Sequence, residues 1–189
     1  MTTACDLAKY ITEQRGSMSA MKLQKLVYYT HAWHLVATDG EPLLDEPIEA
    51  FAHGPLVRDL WYMHRGKTTV APGDFASGDS EAVTPQVREL VSAVLAKYGD
   101  CTAYQLRART HAEAPWKDAA QHGSDISDES MFEFYSVKSA TDTDSVVLPS
   151  WAPIVISDEE YADMMDGVDV PDDASSLIEN VRAARAQRL

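Results

Sequence analysis

The chain has 189 residues, enough for one domain or one domain with an extension. Hydrophobic residues make up 45% of it, which argues against wholesale disorder. Thirty acidic side chains stand against 16 basic ones, a formal net charge of −14, which disfavours non-specific binding to nucleic-acid backbones and suits a basic partner.

Asp6 and Lys9 interrupt the apolar run that a secretory leader requires, and no uncharged stretch approaches the ~20 residues of a membrane span. Cys5 and Cys101 lie far apart without CxxC spacing, and two separate buried thiols fit better than one disulfide. The expectation is a soluble, cytoplasmic protein.

A first helix is predicted over residues 3–16, with Thr3 as cap, Asp6 as its reciprocal partner and Gly16 as stop. A second follows within residues 17–39. Leu23, Leu26, Val27, Thr30 and Trp33 or His34 recur there at spacings of three and four and form one helical face. Pro42 and Pro47 then exclude helix interior, and residues 48–52 alternate like a short strand. Pro55 occupies what looks like a first helical position, opening a helix to Arg65. Residues 67–83, rich in Gly, Ser, Thr, Asp and Pro, make a loop of unusual length.

Residues 84–99 carry the clearest helical pattern. Thr84 caps, Pro85 opens, Val87, Leu90, Val91, Val94, Leu95 and Tyr98 form the stripe, and Gly99 closes. Thr102 and Gln105 form a capping box for a helix to about His111, and Ala114-Pro115-Trp116 leads into a short helical piece. Asp125 or Ser127 starts another helix. The composition shifts near residue 137. The last 53 residues hold 11 acids and 4 bases, half of the net charge, and residues 157–173 hold eight acids and no base. Residues 146–156 should lie extended around Pro149 and Pro153, followed by two short capped helices.

No catalytic constellation emerges. There is no GxSxG, HExxH or GxGxxG, and Gly66-Lys67-Thr68 lacks the glycine that a phosphate loop needs five positions earlier, where Trp61 stands. His31 and His34 are spaced to share a metal, but nothing fixes a third ligand from His53, His64 or Glu46. Asp45, Glu46 and Glu49 fit a solvated loop better than acid/base work. No enzyme, metal or cofactor is therefore expected. Aromatic residues are more numerous than a small core needs. Most belong in that core, but Tyr28, Tyr29, Trp33, His53, Trp61 and Tyr62 are candidate partner contacts. In the acidic stretch, Asp158, Glu159, Glu160, Asp163 and Asp166 are further candidates.

Residues 21–29 (MKLQKLVYY) and Trp33-His34-Leu35 resemble the opening signature of the Panacea domain of SocA-type antitoxins and phage-associated GepA-like proteins. The likeness continues through Pro42-Leu43, residues 45–50, residues 53–57 (HGPLV), Tyr98-Gly99, Leu106, Thr110-His111, Glu113 and Pro115-Trp116. It covers roughly residues 5–136, a first domain of 1–136, and leaves 137–189 as an acidic C-terminal extension with short helices.

The expected fold is mainly α: a compact multi-helix domain with a small extended or β element around residues 48–54, plus that extension. The resemblance implies an antitoxin of a two-gene toxin–antitoxin pair, which neutralises a cognate toxin protein by direct binding in a hetero-complex. Toxins acting on nucleotides or transfer RNA are among the partners it implies. A protease adaptor for the toxin and a DNA-binding autorepressor are the alternatives, the second opposed by the acidic charge.

Overall fold

The computed structural model describes residues 2–142 and 144–153; the acidic candidates at 158–166 and the two C-terminal capped helices lie outside them. Seven α-helices and two small antiparallel sheets are present among the described residues.

Helix α1 (Ala4–Arg15) begins as the sequence predicts. The Asp6 N–H donates to Thr3 Oγ1 at 3.2 Å, and the Thr3 N–H donates to Asp6 Oδ2 at 2.9 Å. Two residues of strand, β1 (Met18–Ser19), then lead into α2 (Ala20–Ala37), which Ser19 caps. The sequence predicts an amphipathic α2 with one buried face. Instead, fifteen of its eighteen residues are buried, because α1, α4 (Pro85–Tyr98), α5 (Ala103–Ala112) and α7 (Asp128–Thr141) all pack around it. A helix buried on every side is the central post of the fold, and its polar side chains must find partners inside the protein.

Residues 48–57 form a hairpin, β2 (Ile48–Phe51) and β3 (Gly54–Val57). This corrects the placement of Pro55 at a helix start, since Pro55 lies in β3 opposite Ala50. A proline at a strand edge loses no ladder bond, and helix α3 (Arg58–Met63) begins only after Val57. β5 (Asp125–Ile126) joins the other side of β2, so the sheet order is β3-β2-β5. The second sheet pairs β1 with β4 (Thr69–Val70).

The long loop is pinned rather than free. Phe75 and Val83 are wholly buried, Lys9 Nζ donates to the Gly78 carbonyl at 2.9 Å, and the Asp79 N–H donates to Asp6 Oδ1 at 2.6 Å. At the C-terminus of α4, the Gly99 carbonyl accepts from Arg15 at 2.8 Å and Lys22 at 2.6 Å, cations placed at the negative end of a helix. Helix α6 (Ala114–His122) follows α5 directly, with Pro115 in its first turn. Ser127 caps α7, which runs unbroken across residue 137, and Val146 beyond it is buried. The composition step at 137 falls within α7.

Candidate partner-binding face and the cluster beneath it

Two consecutive positions of the KLQKL segment, Gln24 and Lys25, explain why the hairpin sits where it does. β3 is an edge strand, and its outward backbone groups face α2 rather than water. Gln24 brackets Val57: its Oε1 accepts from the Val57 N–H at 2.9 Å, and its Nε2 donates to the Val57 carbonyl at 3.3 Å. Gln24 Nε2 also lies 3.1 Å from His64 Nε2, which makes that ring nitrogen the acceptor. Burial holds the His64 imidazole below its ordinary pKa, in keeping with a neutral ring. Lys25 Nζ donates to the Pro55 carbonyl at 2.6 Å. Two side chains of the central helix thus do for this sheet edge what another strand would otherwise do.

Gly54 opens β3 at φ +91, a region that side-chain-bearing residues avoid. A Cβ at this position would lie 2.7 Å from Lys25 Cε and 2.9 Å from Thr110 Oγ1. The His53-Gly54-Pro55 turn is therefore pressed directly onto α2 and α5.

Around this turn the basic side chains gather. Lys25 is 1% exposed, and burial, with Arg107 adding repulsion, pushes its pKa down to about 7. Arg107 and His111 stand one helical turn apart on α5. The His111 ring stacks on Trp116, centroids 3.8 Å apart and planes 8° apart, while Trp116 Nε1 donates to the Phe51 carbonyl at 3.1 Å. Burial, then the charges of Arg107, Lys25 and His53, hold His111 below its usual pKa. Arg107 Nε and His111 Nε2 are both buried and have no hydrogen-bond partner among the described residues.

Farther along α2, an aromatic group surrounds one carboxylate. Glu113 Oε2 accepts from the Tyr135 hydroxyl at 2.8 Å and the Tyr29 hydroxyl at 3.2 Å; Tyr28 lies against Tyr135, hydroxyls 3.3 Å apart. Tyr29 stacks on Tyr98 at 4.1 Å, and Trp33 Nε1 donates to the Tyr98 hydroxyl at 3.3 Å. Burial raises the pKa of Glu113 and of all four tyrosines.

This arrangement separates the candidates that the sequence grouped. Tyr28, Tyr29 and Trp33 are wholly buried and serve as core, not as surface contacts. His53 and Tyr62 are exposed, and Trp61 is half-buried with Arg65 over its ring. Phe51, one of the surplus aromatics in the sequence, is 46% exposed, and Met63, which the helical pattern assigns to a buried face, is 42% exposed; Tyr104 on α5, which no sequence signal singles out, is 75% exposed. Tyr62 is 55% exposed.

The histidine pair on α2 is committed elsewhere. His31 Nε2 lies 2.8 Å from Asp128 Oδ1 and its Nδ1 accepts from the Leu44 N–H, while His34 Nδ1 pairs with the Glu41 carbonyl. Among the described residues no group of His, Cys, Asp or Glu is arranged to hold a metal. Nor does any described helix have the length and apolarity to cross a membrane.

No curated protein and no solved structure matches the chain. The family model described as antitoxin SocA-like, Panacea domain, matches residues 23–117. That stretch runs from the central helix through the hairpin to Trp116 and takes in every contact at the hairpin edge, so the chain belongs to the SocA-like antitoxin family with a Panacea domain.

Proposed function

We propose that this chain neutralises a cognate protein toxin by binding it directly, and that the segment from the end of β2 through α3 carries the contact. The observation behind this reading is the exposure of Phe51, Tyr62 and Met63 within one short segment, whereas Tyr28, Tyr29, Trp33, Tyr98 and Tyr135 are turned inward; Tyr104 on α5 is also exposed but stands outside that segment. Tyr and Trp are favoured at the centres of interfaces, and Trp61 and His53 belong to the same segment. Arg58, fixed by a two-pronged ion pair to Glu49, stiffens the join between hairpin and helix. The net charge of −14 suits a toxin with a basic nucleotide- or transfer-RNA-handling site, where complementary charge speeds encounter and sharpens specificity.

The test is co-expression with the protein encoded by the adjacent gene, scoring growth and copurification. The intact chain should restore growth and copurify. Phe51→Ser, Tyr62→Ser and Met63→Ser should fold normally and lose both. Retention of growth rescue by the triple variant would move the contact elsewhere.

A further inference from the structure

We propose that the basic cluster beneath the β2–β3 turn is an oxyanion-binding site, taking a carboxylate or phosphate group on Lys25, Arg107 and His111. Four basic side chains lie around the turn: Lys25 from α2 against Gly54, His53 in the turn itself, Arg107 from α5 against the Ala52 carbonyl, and His111 from α5 on the Trp116 ring that bonds the Phe51 carbonyl. Each cation in such a group opposes its neighbours. Yet no carboxylate among the described residues bonds to any of the four, in a chain with nearly twice as many acids as bases.

The donors are also left over. An ammonium carries three N–H bonds, and the only Lys25 hydrogen bond among the described residues goes to Pro55. Arg107 Nε and His111 Nε2 have no partner among the described residues, although both are buried. A buried donor without an acceptor is disfavoured by about 1–3 kcal/mol, and charged groups by more. Arg107 holds its remaining contact loosely, from Nη2 to the Ala52 carbonyl at 3.4 Å. An oxyanion placed between these groups would satisfy three donors and cancel the mutual repulsion in one step.

The group runs from surface to interior: His53 is exposed, Arg107 half-buried and Lys25 1% exposed. The stack of Trp116 on His111 fixes the imidazole plane, so the site is built before any ligand arrives. Thr110, against Gly54, and Trp116 are the uncharged neighbours.

Binding is coupled to protons. Lys25 titrates near 7, and burial, with the charges of Arg107, Lys25 and His53, lowers the pKa of His111. An anion favours the charged form of both, so it binds with proton uptake and more tightly at lower pH. One proton taken up corresponds to at most about tenfold per pH unit.

The experiment is a titration of the full chain with sodium acetate and, separately, inorganic phosphate at constant ionic strength in a zwitterionic buffer. The histidine ring and lysine Nζ resonances are followed by NMR. The expected result is saturable movement of His111 and Lys25 toward their charged forms, tighter for acetate at pH 6 than at pH 8. Stronger response to phosphate identifies a phosphate-bearing ligand, and equal or stronger response to acetate identifies a carboxylate. Arg107→Gln and Lys25→Met, each checked for an unchanged far-UV spectrum, should abolish the saturable phase. Two results would overturn the proposal: no saturable response to either anion, or the same response in both variants.

Discussion

Lys25 Nζ, 1% exposed at the centre of the domain, donates to the carbonyl oxygen of Pro55 on the edge of the hairpin at 2.6 Å. One buried amine thus joins the central helix to the strand that precedes the exposed α3. The contact explains why a lysine occupies a helix buried on every side, where an apolar residue would satisfy packing alone. It also places a titrating group beneath the turn.

Lys25 lowers stability at neutral and acid pH. Its folded pKa of about 7 lies below the ordinary lysine value. The unfolded chain therefore binds more protons between pH 7 and about 10, and stability should rise with pH across that window. Lys25→Met removes this dependence. At pH 7 and below, in buffer free of carboxylate and phosphate, the variant should gain about 1–3 kcal/mol after the loss of the Pro55 hydrogen bond. The gain should shrink toward pH 10. Urea denaturation at pH 6, 8 and 10 checks both sign and trend.

Gly54 combines a positive φ with a close approach, and the two effects separate by comparison with Gly66. Gly66 has φ +83 and open space where an alanine methyl would stand, whereas a Cβ at Gly54 meets Lys25 and Thr110. Gly66→Ala should cost about 1–2 kcal/mol from backbone strain alone. Gly54→Ala adds overpacking worth about 1–3 kcal/mol. Thermal unfolding of the two variants should show the larger drop in midpoint for Gly54→Ala, by roughly 2–4 °C per kcal/mol.

Local signals in the sequence were the most legible. The Thr3–Asp6 box, the Thr84 cap and the Thr102–Gln105 box all rest on residues three apart, and the structure contains each of them. The position of Pro55 was not legible, because its fixed φ suits a first helical turn and an edge strand alike; its pairing opposite Ala50 shows which was chosen. The fate of Tyr28 and Tyr29 was hidden for a related reason. They fall outside the stripe of Leu23, Leu26 and Thr30, and periodicity cannot report that a helix is enclosed from all directions. The basic cluster is assembled from residues 25, 53, 107 and 111, so no short-range spacing announces it.

Asp144 ties the segment after α7 to two helices. Its carboxylate accepts from Lys97 on α4 and from Arg109 Nη1 on α5, the latter at 3.1 Å. Lys97 first, and Arg109 with it, hold the carboxyl down at about 2. A depressed carboxyl stabilises above its unfolded value and loses that contribution as pH falls through the folded one. Asp144→Asn should therefore lower the thermal midpoint at pH 7, and less in high salt, which screens exposed charge. The difference from the parent should fade between about pH 4 and pH 2.

Glu113 is the opposite case. Burial holds its carboxyl above the ordinary glutamate value, against the Tyr135 bond that favours the charged form. The folded state binds the proton more tightly than the unfolded chain, so the stability this group contributes is complete below the unfolded pKa and is lost as pH rises through the folded one. Glu113→Gln keeps an oxygen for the hydroxyls of Tyr29 and Tyr135 and removes the charge. It should be more stable than the parent at pH 8, with the advantage disappearing toward pH 4. Glu113→Leu also removes the charge but leaves the Tyr29 hydroxyl without its acceptor, a penalty of about 1–3 kcal/mol, and the Tyr135 hydroxyl with only that of Tyr28 to bond. Chemical denaturation of the three proteins at pH 4 and pH 8 separates the two contributions: the pH-dependent difference between parent and Gln measures the buried charge, and the pH-independent deficit of Leu relative to Gln measures the tyrosine hydrogen bonds. A Glu113→Gln variant less stable than the parent at pH 8 would show instead that the ionised carboxylate is the form this aromatic group is built to hold.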